Sequence, residues 1–434
     1  MNSISYPQKK KGLFYGWYIV AGLATISMVS VGMGGMNLGL FVRPLHDELG
    51  ISQQYIGWSQ TARLIGFSLS SWFIGRLLDI YGARIPMAVA SMIMLLIMGG
   101  LSMMQAGWQL VALVFLSGMI GLEGGGGNLY QSVPLSRWFI KKRGKAMSIS
   151  FFGTTLGLLI FTPLIQATIL YINWRFAWRV IGCGSCLVIF IIAIAVIRKD
   201  PYSMGLHPDG LTPDESFNDE DEENIKSDIE TVEYSWTREQ ALRSFAFWGL
   251  ILIMGLRMLA TSTLNVFRIP YYIESGFSPM LVSFAISIEA IVSAIIAVLT
   301  GMAMDRFPGR QVVAASLVIL ILVFIVTIHV RTEFDIFLAT SLYGVAASSF
   351  MVSTNTLWPN YFGSRHIGNI RGFAVPFTTI FGSLGAPVTG RVKDLTGSYI
   401  SVWIVSIFIL TIAAMFMLFI KKPDSPDTKN VHYY

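Results

Sequence analysis

The sequence repeats itself at a fixed offset. Gly75-Arg76-Leu77-Leu78-Asp79-Ile80-Tyr81-Gly82-Ala83-Arg84 returns as Gly301-Met302-Ala303-Met304-Asp305-Arg306-Phe307-Pro308-Gly309-Arg310, so Asp79 maps onto Asp305 and Arg84 onto Arg310. Upstream, Phe41, Pro44, Glu48, Gly50 and Ser52 map at the same offset onto Phe267, Pro270, Glu274, Gly276 and Ser278. A duplicated chain builds like units. In an apolar chain, two parallel halves about an axis along the membrane normal are one route to alternating access. This chain is apolar: 54% of its residues are hydrophobic and 13% charged, against about 25% charged in soluble domains.

Twelve stretches approach or exceed the ~20 apolar residues that a spanning helix needs. They fall near 17–40, 53–75, 86–105, 109–134, 147–170, 178–197, 245–268, 280–302, 312–330, 335–358, 373–390 and 400–420. Most have no polar face, which argues against a soluble helical bundle. The expected fold is all-α, a polytopic membrane protein of twelve transmembrane helices in two pseudo-symmetric six-helix bundles. The expected division is a first half at 1–198, a cytoplasmic polar and acidic linker at 199–244, a second half at 245–421 and a cytoplasmic tail at 422–434. The linker holds Pro201, Pro208 and Pro213, then Asp219-Glu220-Asp221-Glu222-Glu223. It is too polar to form a core. Ser235-Trp236-Thr237-Arg238-Glu239-Gln240 can open a short amphipathic helix on the membrane surface.

Lys and Arg set the expected orientation. With twelve spans both termini share a side, and most basic residues fall in the loops on that side. The other side holds Arg43, Arg175, Arg179, Arg268, Arg331, Arg391 and Lys393, and Arg63 and Arg257 lie within spans. The bias places both termini in the cytoplasm of a multi-pass cell-membrane protein. The net charge of +6 then belongs to cytoplasmic loops and not to a nucleic-acid footprint. The first apolar run is too long for a cleaved signal peptide and reads as a retained anchor.

Several motif-like strings are explained by the bilayer. Cys183-Gly184-Ser185-Cys186 lies inside an apolar helix with no second pair, which makes it two membrane-buried thiols and not a redox or metal centre. Glu123-Gly124-Gly125-Gly126-Gly127 interrupts a span, where glycine lets helices approach or bend. The five histidines show no ligand spacing. Neither a catalytic triad nor a Walker loop is evident. The sequence points to no enzyme, no cofactor and no metal.

The loop Gly-x-x-x-Asp-x-x-Gly-x-Arg between spans 2 and 3, with its second copy between spans 8 and 9, resembles the signature of the major facilitator superfamily. That resemblance implies that Asp79, Arg84, Asp305 and Arg310 latch one of two alternating states. Three further segments resemble the monocarboxylate porter and oxalate:formate antiporter branch. They are Phe14-Tyr15-Gly16-Trp17-Tyr18, the run Arg137-Trp138-Phe139-Ile140-Lys141-Lys142-Arg143-Gly144-Lys145-Ala146-Met147, and Pro201, Gly205, Pro208, Asp209 and Gly210 after span 6. The branch implies transport of small organic anions, often with a proton. This chain departs from it in three places: no acidic residue precedes Gly16-Trp17, span 8 holds Glu289 and no arginine, and 373–390 holds no lysine.

An ionisable residue in mid-span is costly and marks function by default. Arg63, Glu123, Arg257 and Glu289 are such residues, and Arg63 and Glu289 are equivalent positions of the repeat. Arg257 heads a polar stripe with Thr261 and Asn265 at helical spacing. Because spans 1, 4, 7 and 10 line the cavity in the superfamily, the resemblance adds Asn37, Tyr130, Asn265, Asn355 and Trp358 as lining residues. An arginine fork suits a carboxylate, so Arg257, then Arg63, is the expected anion site. Glu289 or Glu123 is the expected proton site. The same charges could also pair internally, as Arg63–Glu289, Arg257–Glu289 or Arg257–Glu123. The expected activity is secondary transport of a small, monocarboxylate-like anion, coupled to protons. The alternative is a neutral or aromatic metabolite or vitamin, in uptake or efflux.

Overall fold

The computed structural model describes residues 14–123, 129–139, 142–207, 209, 236–363 and 367–423. Most of the proposed linker and the end of the tail lie outside them. The described chain runs through twelve helical passes. In the first half these are span 1 (Tyr15–Ser30, then Leu38–Leu49), span 2 (Gln53–Tyr81), span 3 (Arg84–Met103), span 4 (Gly107–Ile120, then Leu129–Trp138), span 5 (Arg143–Tyr171) and span 6 (Trp174–Ala195). In the second they are span 7 (Phe245–Glu274), span 8 (Pro279–Arg306), span 9 (Gly309–Ile328), span 10 (Glu333–Phe362), span 11 (Ile367–Thr396) and span 12 (Ile400–Phe419).

Among the described residues, nine of these passes are long and apolar enough to cross a bilayer on their own. Spans 2, 4 and 11 are the others. Spans 2 and 11 carry polar residues because they face each other across the two halves. Leu69, Leu96, Phe408 and Ile412 are all more than half exposed, an apolar surface that suits lipid and not water.

The duplication is visible in the packing. Spans 1 and 5, 2 and 4, and 3 and 6 pack together in the first half, as 7 and 11, 8 and 10, and 9 and 12 do in the second. Across the halves, span 2 meets span 11, span 5 meets span 8, and span 1 meets span 7. The described cross-half hydrogen bonds run from mid-membrane to the end away from the termini. There Asp394 of span 11 accepts from Gln53 N at 3.2 Å and Gln54 N at 3.0 Å. It caps the first turn of span 2, where Ser52 makes no side-chain cap. Small residues close the same seam: a Cβ on Gly57 would lie 2.5 Å from the carbonyl of Ala386.

Three passes differ from the expected boundaries in ways that matter. Span 1 continues to Leu49 and breaks at Gly34, whose φ of +87° favours glycine. Span 7 extends through Pro270 to Glu274, so Arg268 is inside the membrane helix and not in a loop. Span 11 runs from Ile367 to Thr396, taking Arg371, Arg391 and Lys393 into the helix. Hydropathy falls where a charge enters the run, but a buried charge with a partner does not end a helix.

On the side of the termini, Thr237 and Gln240 cap each other at the start of Arg238–Leu242. Trp236 N donates to Phe362 O at 2.9 Å, and the two rings meet edge to face. The expected short helix is therefore present, and its leading tryptophan is tied to the end of span 10.

Candidate functional site

Each half holds one Arg–Glu pair, with Arg63 and Glu289 at the same position of the repeat. In the first, Arg63 Nη1 of span 2 lies 3.5 Å from Glu123 Oε2, in the break of span 4. The helices approach closely because Gly118 stands opposite, where a Cβ would lie 2.8 Å from Arg63 Cα. Gly35, in the break of span 1, sits on the pair: a Cβ there would lie 2.7 Å from both Arg63 Nη1 and Glu123 Cδ. A side chain at 35 would push the charges apart.

In the second half, Arg268 of span 7 grips Glu289 of span 8. Nη1 lies 2.8 Å from Oε2, and Nη2 donates to Oε1 at 3.1 Å. Arg268 is buried and Glu289 nearly so; only the Nη2–Oε1 contact is a hydrogen bond, and Arg268 Nε and Nη1 and Glu289 Oε2 make none. The Arg268 guanidinium lies 4.2 Å from the ring centre of Tyr343, whose hydroxyl donates to Asn265 Oδ1. Gly344 of span 10 lies under Glu289, with a Cβ position 2.7 Å from its carbonyl. Gly344 is the repeat equivalent of Gly118, so one small-residue contact seats both charges.

The pairs meet at a cavity of about 270 Å³ between the halves. Gly35, Met36, Leu38, Gly39, Gln60, Arg63 and Leu158 line it from the first half. Asn265, Val266, Arg268, Ile286 and Glu289 line it from the second. Each guanidinium is neutralised by a carboxylate of its own half, and both border the same space. An anion there could compete for either arginine and leave a carboxylate free to take a proton.

Arg257 stands apart. Its guanidinium lies 3.9 Å from the ring centre of Phe350 of span 10. Among the described residues it has no carboxylate within ion-pair distance. Neither internal pairing expected for Arg257 forms, nor does Arg63–Glu289: Glu289 takes Arg268, and Glu123 takes Arg63.

The other expected lining residues divide. Asn265 faces the cavity. Asn37 is buried at the break of span 1, where Thr162 Oγ1 donates to its Oδ1 at 3.1 Å and its Nδ2 has no partner. Tyr130 is buried in the first half. Asn355 is exposed and accepts from Arg371 Nη2 at 2.8 Å. Trp358 is buried against Phe247 and Phe362, which makes it packing and not lining. Of the latch residues, Arg84 is exposed and Arg310 half-buried; the side chains of Asp79 and Asp305 lie outside the described residues. Cys186 is buried and Cys183 half-buried, both as free thiols. No metal-binding cluster occurs among the described residues.

Arg268 and Gln60 are absent from the residues the sequence points to. Arg268 had a signal. The stripe Arg257, Thr261, Asn265 reaches it after one more turn. Gln60 had none, because a lone glutamine at the edge of an apolar run is ordinary.

The family model described as Major Facilitator Superfamily matches residues 24–386 and 250–431. The oxalate:formate antiporter of Oxalobacter formigenes is 24% identical over 287 residues, covering 63% of this chain and 59% of that protein. Monocarboxylate transporter 13 of Bos taurus is 23% identical over 293 residues, covering 66% of this chain and 63% of that protein. Both matches thus span about three fifths of the relative's length. Among solved structures, a bacterial homolog of the human lysosomal transporter Spinster aligns with a TM-score of 0.69 at 15% identity, covering 96% of this chain and all of that one.

Proposed function

The chain belongs to the Major Facilitator Superfamily, and from that premise we propose that this membrane transporter carries a small organic anion, coupled to protons, with both termini in the cytoplasm. The observation that carries this reading is Arg257. A guanidinium held in mid-membrane against an aromatic ring, with no carboxylate beside it among the described residues, has the fixed positive charge of an anion site. The paired charges supply the coupling. A substrate carboxylate that reaches Arg268 or Arg63 loosens its hold on Glu289 or Glu123, and a carboxylate losing its counter-charge in a dry site binds a proton. The oxalate:formate and monocarboxylate relatives support a carboxylate as the solute. The cross-half bonds favour an arrangement closed on the side away from the termini.

The test is counterflow of radiolabelled lactate, pyruvate, acetate and oxalate in proteoliposomes, with Arg257→Gln in parallel. Charge-assisted hydrogen bonds contribute about 1.5–3 kcal/mol each. Arg257→Gln is therefore expected to weaken apparent affinity at least about tenfold. Uptake of none of the four by folded protein removes the simplest carboxylate model. Uptake that is unchanged in Arg257→Gln removes Arg257 from the site. A neutral or aromatic solute is the second reading, favoured by Phe350 under Arg257 and by Phe373 and Phe377 in contact on span 11. It predicts that Arg257→Gln spares binding.

A further inference from the structure

Span 5 carries Pro163 within its helix, and span 11 carries Pro387 besides Pro376. Proline has no backbone N–H, so the carbonyl four residues earlier loses its helical partner. For Pro163 and Pro387 those carbonyls belong to Leu159 and Ser383. Each meets a hydroxyl from the other half. Thr61 Oγ1 of span 2 donates to Ser383 O. Ser287 Oγ of span 8 lies 3.4 Å from Leu159 O and 3.3 Å from Leu158 O. Ser287 also reaches Ser283 O in its own helix at 3.1 Å, so its bond is shared. Both hydroxyls are buried, Thr61 at 4% exposure and Ser287 at 1%. Thr61 and Ser287 are also the same position of the repeat.

We propose that these two proline–hydroxyl contacts are paired clasps, which hold the halves together on the side away from the termini and part when the cavity opens there. In hydrocarbon or a dry seam an unpaired carbonyl is costly. Each clasp therefore favours the closed arrangement until water or solute reaches its carbonyl. Thr61 is two residues from Arg63, and Ser287 two from Glu289. A movement that parts a clasp therefore shifts the backbone carrying one member of each ion pair, and this links the seam to the cavity. The proposal rests on the halves moving apart and not on the identity of the solute.

The test uses the full chain in nanodiscs with Cys183→Ser and Cys186→Ser. Gln105→Cys and Arg331→Cys carry spin labels. These two exposed positions are repeat equivalents at the ends away from the termini, one in each half. Pulsed electron paramagnetic resonance reads the ratio of long to short distances. Leaving a buried carbonyl unpaired costs enough to move such a ratio about fivefold or more. Thr61→Val is expected to raise it by that amount, and Ser287→Ala to raise it less. Pro387→Ala restores the N–H that Ser383 O lacks, so adding Thr61→Val to it is expected to change the ratio less than about twofold. An unchanged ratio in Thr61→Val overturns the proposal, as does a full Thr61→Val effect in the Pro387→Ala background. If Thr61→Val does not fold, Ser287→Ala decides: a raised ratio that falls when Pro163→Ala is added supports the proposal, and an unchanged ratio overturns it.

Discussion

Removing Arg268 should cost more than removing Arg63. The Arg268–Glu289 contact is short, with Nη1 2.8 Å from Oε2 and side-chain exposures of 8% and 14%. Unit charges at that distance attract by about 6 kcal/mol at an effective dielectric constant near 20. Desolvation of both groups offsets most of that gain. The pair therefore adds little net stability, but half a pair is expensive. Arg268→Gln leaves Glu289 without its counter-charge, to stay buried as a carboxylate or to take up a proton, and the expected cost is about 3–5 kcal/mol. Arg268→Met with Glu289→Leu removes both charges at similar volume and is expected to return within about 2 kcal/mol of the native protein. In the other half the separation is 3.5 Å and Arg63 is 23% exposed. Glu123, the carboxylate left behind, is 8% exposed, but the contact given up is longer and weaker, so Arg63→Gln is expected to cost about 1 kcal/mol less than Arg268→Gln. Unfolding in mixed detergent micelles, followed by tryptophan fluorescence, gives all three values. The reasoning fails if Arg268→Gln is as stable as the native chain, or if the double replacement is no more stable than Arg268→Gln.

The seam away from the termini offers two further tests. Gly57→Leu places a side chain where a Cβ already lies 2.5 Å from the Ala386 carbonyl; overpacking is expected to disfavour the closed seam by about 1–3 kcal/mol. More frequent labelling from that side of Gln53→Cys, a position buried in the closed seam, would show this, and unchanged labelling would refute it. Asp394→Asn keeps an acceptor for the first turn of span 2 but removes the charge facing the helix N-terminus. The expected loss is about 0.3–1 kcal/mol, and about 1 kcal/mol or more for Asp394→Ala. The ordering Ala worse than Asn, read by the same labelling, separates a cap from an incidental contact.

The fold was legible because two signals agreed. The apolar runs placed twelve passes, and the repeated Asp79 and Asp305 segments divided them into like halves. The site was legible only in part. Arg63, Glu123, Arg257 and Glu289 stand out as charges inside apolar runs, whatever the tertiary structure. Their partners do not, because pairing depends on which helices meet. Arg268 was hidden by its place near the end of span 7, where a falling hydropathy looks like a loop. Trp358 shared a plausible face with Asn355, yet Phe247 and Phe362 enclose it, and no periodicity separates a lining face from a packed one. The repeat also concealed a divergence. Arg63 and Glu289 occupy one duplicated position with opposite charges. Each found its counter-charge on a different helix, Glu123 on span 4 and Arg268 on span 7. The duplication kept the glycine seats, Gly118 and Gly344, and the clasp hydroxyls, Thr61 and Ser287, but changed the electrostatics built on them. Two equal pairs would release an anion from either half alike. Here the longer contact, with the more exposed guanidinium, is in the first half and the shorter one, with the buried guanidinium, in the second. This difference gives the cavity two unequal walls, and Arg63 is the guanidinium that an entering anion can take at the lower cost.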